Sequence, residues 1–216
     1  MQYFDVFNGD ADGICALHQL RLADPLDSRL VTGLKRDIVL LDRVPAQDGD
    51  VVTVLDISLA RNRSALETLL ERGVVVRYFD HHHAGRIPAH DGLETIIDVS
   101  GALCTSALVD RHLGGRFRAW AIAGAFGDAM EALAMRLANG AGFDADRVAG
   151  LKELGATLNY NAYGDSESDV LVPPADLYRI VSGYADPFEL MQREPVIGRI
   201  GQMWRLDLER ARELPP

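Results

Sequence analysis

Residues 51–79 carry the pattern that most limits what this chain can fold into. The apolar run VVTVL at residues 51–55 predicts a buried strand, and the run VVVRYF at residues 74–79 predicts a second one. Between them, apolar residues at helical spacing predict a helix that ends at Gly73. A strand, a helix and a strand in this order form a βαβ unit. The two strands are therefore expected to be parallel.

Acidic residues follow the predicted strands. The first strand, at residues 3–7, leads into Asp10 and Asp12, and the two strands of the βαβ unit lead into Asp56 and Asp80. Since the carboxyl ends of parallel strands meet at one edge of a sheet, we expect these side chains to lie together. The expected cluster comprises Asp10, Asp12, Asp56, Asp80, His81 and His82. Such a collection of acids repels itself unless cations are bound.

These patterns predict an α/β fold with a mainly parallel sheet flanked by helices and a helical C-terminal part. Further short strands are expected at residues 30–32 and 95–97, while residues 38–41 are compatible with a helix or a strand. We expect residues 1–140 to form the core and residues 141–216 to form a helical extension packed on it. The closing Leu214-Pro215-Pro216 resembles a linker to a second domain.

Composition and charge restrict the partners of the chain. Its 216 residues have a formal net charge of −10, which argues against a broad electrostatic grip on duplex DNA. The sequence contains neither a long apolar run nor a basic region followed by an apolar one at its start, so we expect a cytoplasmic protein without membrane contact. Cys15 and Cys104 are expected to be small core residues. A homodimer is one assembly that the sequence permits.

The donor types in the cluster indicate a hard divalent cation. Carboxylates suit Mn²⁺ and Mg²⁺, and an imidazole among them favours Mn²⁺, Co²⁺ or Zn²⁺ over Ca²⁺. Mn²⁺ is the ion that we expect, with Mg²⁺ or Co²⁺ as alternatives. Two such ions held ~3.5–4 Å apart lower the pKa of a shared water, which can then attack phosphorus in line. The cluster therefore predicts a divalent-metal-dependent phosphohydrolase, with manganese as the first choice of ion.

Four segments, in order, resemble the motifs of the DHH phosphoesterase superfamily: Asn8-Gly9-Asp10-Ala11-Asp12-Gly13, Asp56, Asp80-His81-His82 and Gly127-Asp128. The resemblance covers about residues 1 to 130. It implies hydrolysis of a small phosphoester or phosphoanhydride, such as a short oligonucleotide, a cyclic dinucleotide or polyphosphate.

The resemblance also implies roles for individual residues. Asp10 and Asp56 would hold one ion, and the second ion would be held by Asp12, Asp56, His81 and Asp128. Asp80 would orient His81 through its other ring nitrogen. His82 would face the substrate phosphate, and we assign catalytic roles to Asp80 and His82.

The expected substrate-binding residues are Asn8, Lys35, Arg36, His82, Ser100, Thr105 and Ser106. The segment from Ser100 to Ser106 resembles the hydroxyl-rich helix start that family members place near substrate, where backbone N–H groups face an anion. Lys35 and Arg36 could be a solvated pair or could steer phosphate.

Two features depart from the family pattern. Asn8 stands where nuclease-like members often carry an acid, and residues 140–216 contain nothing like the GGGH-type motif of the usual second domain. The chain is therefore either a minimal domain or a fragment. The alternative to an enzyme is a non-catalytic module that binds a nucleotide or a protein in the same cleft.

Overall fold

Five parallel strands form one sheet in the computed structural model, which describes residues 1–213. They are β1 Tyr3–Asn8, β2 Arg29–Gly33, β3 Val51–Leu55, β4 Val75–Asp80 and β5 Leu93–Ile97. Their order across the sheet is β2-β1-β3-β4-β5, and every neighbouring pair is parallel. All five carboxyl ends therefore lie along one edge, which is where ligand sites form in open parallel sheets.

Helices occupy most of the remaining chain. They are α1 Ala11–Ala23, α2 Leu59–Glu71, α3 Thr105–His112, α4 Arg118–Gly127, α5 Glu131–Ala141, α6 Ala145–Asn161, α7 Pro174–Ser182, α8 Pro187–Arg193 and α9 Pro195–Glu213. The predicted α/β architecture and the parallel βαβ unit are confirmed. Within residues 1–213, no helix combines the length and the apolar character needed to cross a membrane.

Three local expectations differ from the structure or fall outside it. Residues 38–41 form neither a strand nor an α-helix, and Leu41 begins a short 3₁₀ helix, Leu41–Arg43. The helix expected from Ser100 begins only at Thr105, because residues 98–104 form a loop. The linker predicted at Leu214 lies outside the described residues.

Alternating side chains of the strands bury two separate hydrophobic clusters. In β1, Phe4 and Val6 point to the face covered by α2, where Leu66 and Leu69 are buried. Phe7 points to the opposite face, which α1 and α3 cover. The sheet is thus covered on both faces, which explains why its inner strands are nearly continuous apolar runs.

The C-terminal helices extend the second of these clusters. Leu154 of α6 and Ile200 of α9 belong to the same buried cluster as Phe7. Two glycines allow the helices to approach closely: a Cβ on Gly155 would lie 2.2 Å from the Ala123 carbonyl oxygen of α4, and one on Gly127 would lie 2.2 Å from the Cβ of Ala11. This close packing brings the end of α4 against the start of α1.

Candidate metal centre

The turn between β1 and α1 is built by its own polar side chains. Asp10 caps α1, and its Oδ1 accepts hydrogen bonds from the backbone N–H groups of Asp12 (3.0 Å) and Gly13 (3.1 Å). The Asn8 Oδ1 accepts from the Asp10 N–H, and the Asn8 Nδ2 donates to the Lys35 carbonyl oxygen. Asn8 is buried. These contacts favour a role in shaping the turn over the substrate contact predicted for Asn8.

Asp12 joins the start of α1 to the start of α3. Its two carboxylate oxygens accept hydrogen bonds from the backbone N–H groups of Thr105 (2.7 Å) and Ser106 (2.8 Å). Burial alone would raise the pKa of Asp12, but His81 and the hydrogen bonds from Ser106 outweigh it and hold that pKa below its ordinary value. Asp12 is therefore a stable buried anion. Asp12 therefore binds the N-terminal N–H groups of α3, which the sequence predicted would face the substrate.

Asp56 follows β3 in a left-handed backbone conformation with φ of 60°. This conformation costs about 1–3 kcal/mol in a residue other than glycine and is concentrated at functional sites. The Asp56 Oδ1 accepts a hydrogen bond from the Thr105 hydroxyl (2.9 Å). Burial and the neighbouring carboxylates, Asp12 first among them, raise the pKa of Asp56 well above its ordinary value. The ionised form of Asp56 is therefore destabilised in the folded chain.

Asp80 and His82 form a pair at the end of β4. Asp80 is fully buried, and its Oδ1 lies 2.7 Å from the His82 Nδ1. This hydrogen bond, the largest influence, raises the pKa of His82, and Asp80 thereby favours the imidazolium form. The sequence-based assignment had Asp80 orienting His81; the hydrogen bond found here goes to His82 instead. The His82 side chain is 45% exposed, so its other face is open to solvent.

His81 points into the carboxylates. Its Nε2 lies 3.4 Å from Asp56 Oδ1, 3.7 Å from Asp128 Oδ2 and 3.9 Å from Asp12 Oδ2. Among residues 1–213, this buried nitrogen has no hydrogen-bond partner. A buried polar atom without a partner is costly, and ligation of a metal ion is one way to satisfy it.

Asp128 closes the centre from the side of α4. It is the C-terminal cap of that helix, and burial together with Asp12 and Asp10 raises its pKa to about 7. The ionised forms of Asp128 and Asp56 are thus destabilised for the same reasons, which are burial and the negative charge of neighbouring carboxylates. A bound divalent cation removes that destabilisation, because it favours the charged carboxylates.

Among residues 1–213, the candidate ligand atoms form two overlapping groups. Within each group the candidate ligand atoms lie within 4.8 Å of one another; the groups are Asp12, His81 and Asp128, and Asp56, His81 and His82. Both contain His81. Carboxylates together with imidazole nitrogens fit a manganese-type ion, and the unpartnered His81 Nε2 supports this fit.

Lys35 lies against the acidic cluster, whereas Arg36 does not. The Lys35 Nζ donates to Asp10 Oδ2 at 2.5 Å, and burial, which opposes its charge, is outweighed by Asp10, so that the pKa of Lys35 is raised. The Arg36 side chain is 79% exposed and pairs with Asp165. The two neighbours thus have different surroundings.

The hydroxyl-rich segment divides into an exposed part and a buried part. Ser100 lies exposed in the loop before α3, while Thr105 and Ser106 are fully buried. Thr105 supports Asp56, and Ser106 supports Asp12. Their burial favours support of the carboxylates over direct contact with substrate.

Sequence reasoning missed Asn159. This α6 residue accepts a hydrogen bond from the Lys35 Nζ at 3.0 Å. Its partner is 124 positions away in the chain. No local pattern marks it, because a polar residue near the end of a helix is ordinarily solvated.

Solved structures with the same fold include metal-bound exonucleases. A crystal structure of the exonuclease RecJ bound to manganese has a TM-score of 0.57 at 19% identity, with 97% of this chain and 63% of that chain covered. RecJ in complex with Mn²⁺ from Thermus thermophilus has a TM-score of 0.50 at 17% identity, with 97% and 36% covered. The DHH domain of a protein assigned to a family of ribosomal proteins has a TM-score of 0.62 at 14% identity, with 97% and 57% covered.

These similarities show that the chain has the fold of a DHH domain, as the four sequence motifs implied. The chain spans less than two thirds of the length of each of these three structures. No protein-family model matches the sequence, and no curated protein is significantly similar to it.

Proposed function

We propose that this chain is a divalent-metal-dependent phosphohydrolase that cleaves a small phosphoester or phosphoanhydride. The observation that carries the proposal is the His81 Nε2, a buried nitrogen without a hydrogen-bond partner among residues 1–213, which faces Asp12, Asp56 and Asp128. These three carboxylates come from three different elements, and two of them have raised pKa values. Raised pKa values of this kind are concentrated at functional sites, which supports a functional role for the cluster.

Asp12, Asp56, His81 and Asp128 are the residues that would hold the ion, and manganese is the ion that we propose. When bound, a divalent cation polarises a phosphoryl oxygen and lowers the pKa of a water. The crystal structures of RecJ contain manganese, which supports this choice for a chain with the same fold. The sequence predicts two ions.

His82 is the residue that we propose as proton donor. Hydrolysis adds the oxygen of water to phosphorus and breaks the bond from phosphorus to the leaving oxygen, which must then gain a proton. Asp80 fixes the Nδ1 side of the ring and favours the imidazolium, so the other ring nitrogen can donate to that oxygen. The exposure of His82 leaves this nitrogen accessible to a bound substrate.

The charge of the chain bears on the substrate class. With a net charge of −10, long polynucleotides gain little from general electrostatic attraction. Short oligonucleotides, cyclic dinucleotides and polyphosphate depend less on such attraction, since a metal centre and one or two cations can bind them. RecJ is an exonuclease, which supports a nucleotide phosphoester as the first substrate to test.

The alternative function, a non-catalytic module that binds a nucleotide or a protein, is favoured by one observation. The Lys35 ammonium already neutralises part of the acidic cluster through Asp10. In such a module the cleft would bind its partner without turnover.

A substrate panel separates the two functions. We expect Mn²⁺-dependent release of product from bis-p-nitrophenyl phosphate and from at least one of short oligoribonucleotides, cyclic dinucleotides, pyrophosphate and polyphosphate. Asp128→Asn is expected to lack this activity, and the exposed Asp91→Asn is the matched control that should retain it. Binding of a nucleotide without hydrolysis of any substrate would support the alternative.

A further inference from the structure

Both oxygens of the Asp10 carboxylate accept hydrogen bonds within the protein. Its Oδ1 accepts the backbone N–H groups of Asp12 and Gly13, and its Oδ2 accepts the Lys35 ammonium at 2.5 Å. The residue is 3% exposed, so water offers it little further stabilisation. Asp10 belongs to neither of the donor groups found among residues 1–213.

The side chain next to Asp10 contributes no charge to a cation site. Asn8 is neutral, and both ends of its amide are bound to backbone, the Oδ1 to the Asp10 N–H and the Nδ2 to the Lys35 carbonyl oxygen. A hard divalent ion at the Asp10 Oδ2 would have to displace the Lys35 ammonium, and Asn8 would add no negative charge to hold that ion.

Lys35 is held in this position from several directions. Besides Asp10, its Nζ contacts Asn159 Oδ1 at 3.0 Å and lies 3.9 Å from Asp128 Oδ1. Its backbone N–H donates to the Ala162 carbonyl oxygen. The side chain is only 25% exposed. The ammonium is therefore a built part of the centre and not a mobile surface charge.

Lys35 and a divalent ion beside Asp10 exclude each other on electrostatic grounds. Like charges at hydrogen-bonding distance repel strongly in a partly buried site. The position beside His81 differs, because the His81 Nε2 faces the carboxylates of Asp12, Asp56 and Asp128.

We infer that the Lys35 ammonium takes the place of one of two divalent cations, so that the centre holds a single ion beside His81. The inference rests on the proposed function, because it concerns the same centre. It departs from the pair of ions that the sequence predicted. Lys35 then supplies the second positive charge next to the substrate phosphate.

Counting bound manganese tests the inference. The chain is stripped with a chelator, saturated with Mn²⁺, desalted and measured by elemental analysis, and it is titrated in parallel by calorimetry. We expect one ion per chain. Two ions per wild-type chain would overturn the inference and leave the proposed function standing, whereas no bound ion would overturn both.

A double variant tests whether the Lys35 ammonium is what excludes the second ion. Asn8→Asp combined with Lys35→Ala supplies an acid and removes the ammonium, so a second ion is expected, seen as magnetic coupling between two Mn²⁺ ions in electron paramagnetic resonance. Arg36→Ala is the matched control, since this neighbour is exposed, and should keep one ion. A folded double variant that still binds one ion would show that Lys35 is not what excludes the second. If this variant fails to fold, the count for the wild-type chain decides.

Discussion

Asp56→Asn is expected to lower hydrolytic turnover by about 10³-fold, since removing one charged ligand forfeits several kcal/mol of transition-state stabilisation. The same substitution is expected to leave the metal-free fold intact or to stabilise it. The pKa of Asp56 is raised in the fold by burial and by neighbouring carboxylates, Asp12 above all. At pH 7.5, above the ordinary aspartate pKa, the charged form therefore opposes folding, and a neutral amide removes that cost.

The shape of asparagine preserves the remaining contact. Its amide oxygen can still accept the Thr105 hydroxyl, which now donates to Asp56 Oδ1. Steady-state kinetics with Mn²⁺ and thermal unfolding in a chelator measure the two effects separately. A variant that unfolds more readily than the wild type without metal would contradict the assignment of Asp56 as a strained ligand.

Asp12→Asn is expected to abolish metal-dependent activity and also to destabilise the metal-free protein by about 2 kcal/mol. Both oxygens of Asp12 accept backbone N–H groups at the start of α3. Asparagine offers only one acceptor and sets its NH₂ group against the other N–H. For a chain of this length, the loss corresponds to a fall of about 4–8 °C in the unfolding temperature.

The expected destabilisation by Asp12→Asn follows from the pKa of Asp12. Burial raises this pKa, but His81 and Ser106 outweigh burial and lower it in the folded protein. A lowered pKa means that the charged carboxylate stabilises the fold above the ordinary aspartate pKa and that this stabilisation is lost as the pH falls through the folded-state value. Thermal unfolding at pH 7.5 in a chelator measures it. Equal unfolding temperatures for Asp12→Asn and Asp56→Asn would contradict the distinct roles of these two ligands.

The positions of the strand-end acids could be predicted from the sequence. Each follows an apolar run of strand length, and parallel strands bring their carboxyl ends to one edge. This reasoning places Asp12, Asp56 and His81 at one edge of the sheet, and the family resemblance adds Asp128. The structure brings the four together.

The contacts that decide individual roles could not be predicted in the same way. The bond from Thr105 to Asp12 spans 93 positions, and the bond from Lys35 to Asn159 spans 124. Each depends on how a loop and a helix end pack against the sheet. Whether Asp80 forms its hydrogen bond with His81 or with His82 likewise depends on how the chain turns after β4. The residue types do not determine that turn.

The proposed function depends on a divalent cation at the carboxyl edge of the sheet. Anomalous diffraction from Mn²⁺-soaked crystals, recorded at the manganese absorption edge, tests this most directly. We expect a peak within ligand distance of the His81 Nε2 and among the carboxylates of Asp12, Asp56 and Asp128. Peaks found only elsewhere, with these side chains turned away from one another, would contradict the proposed function.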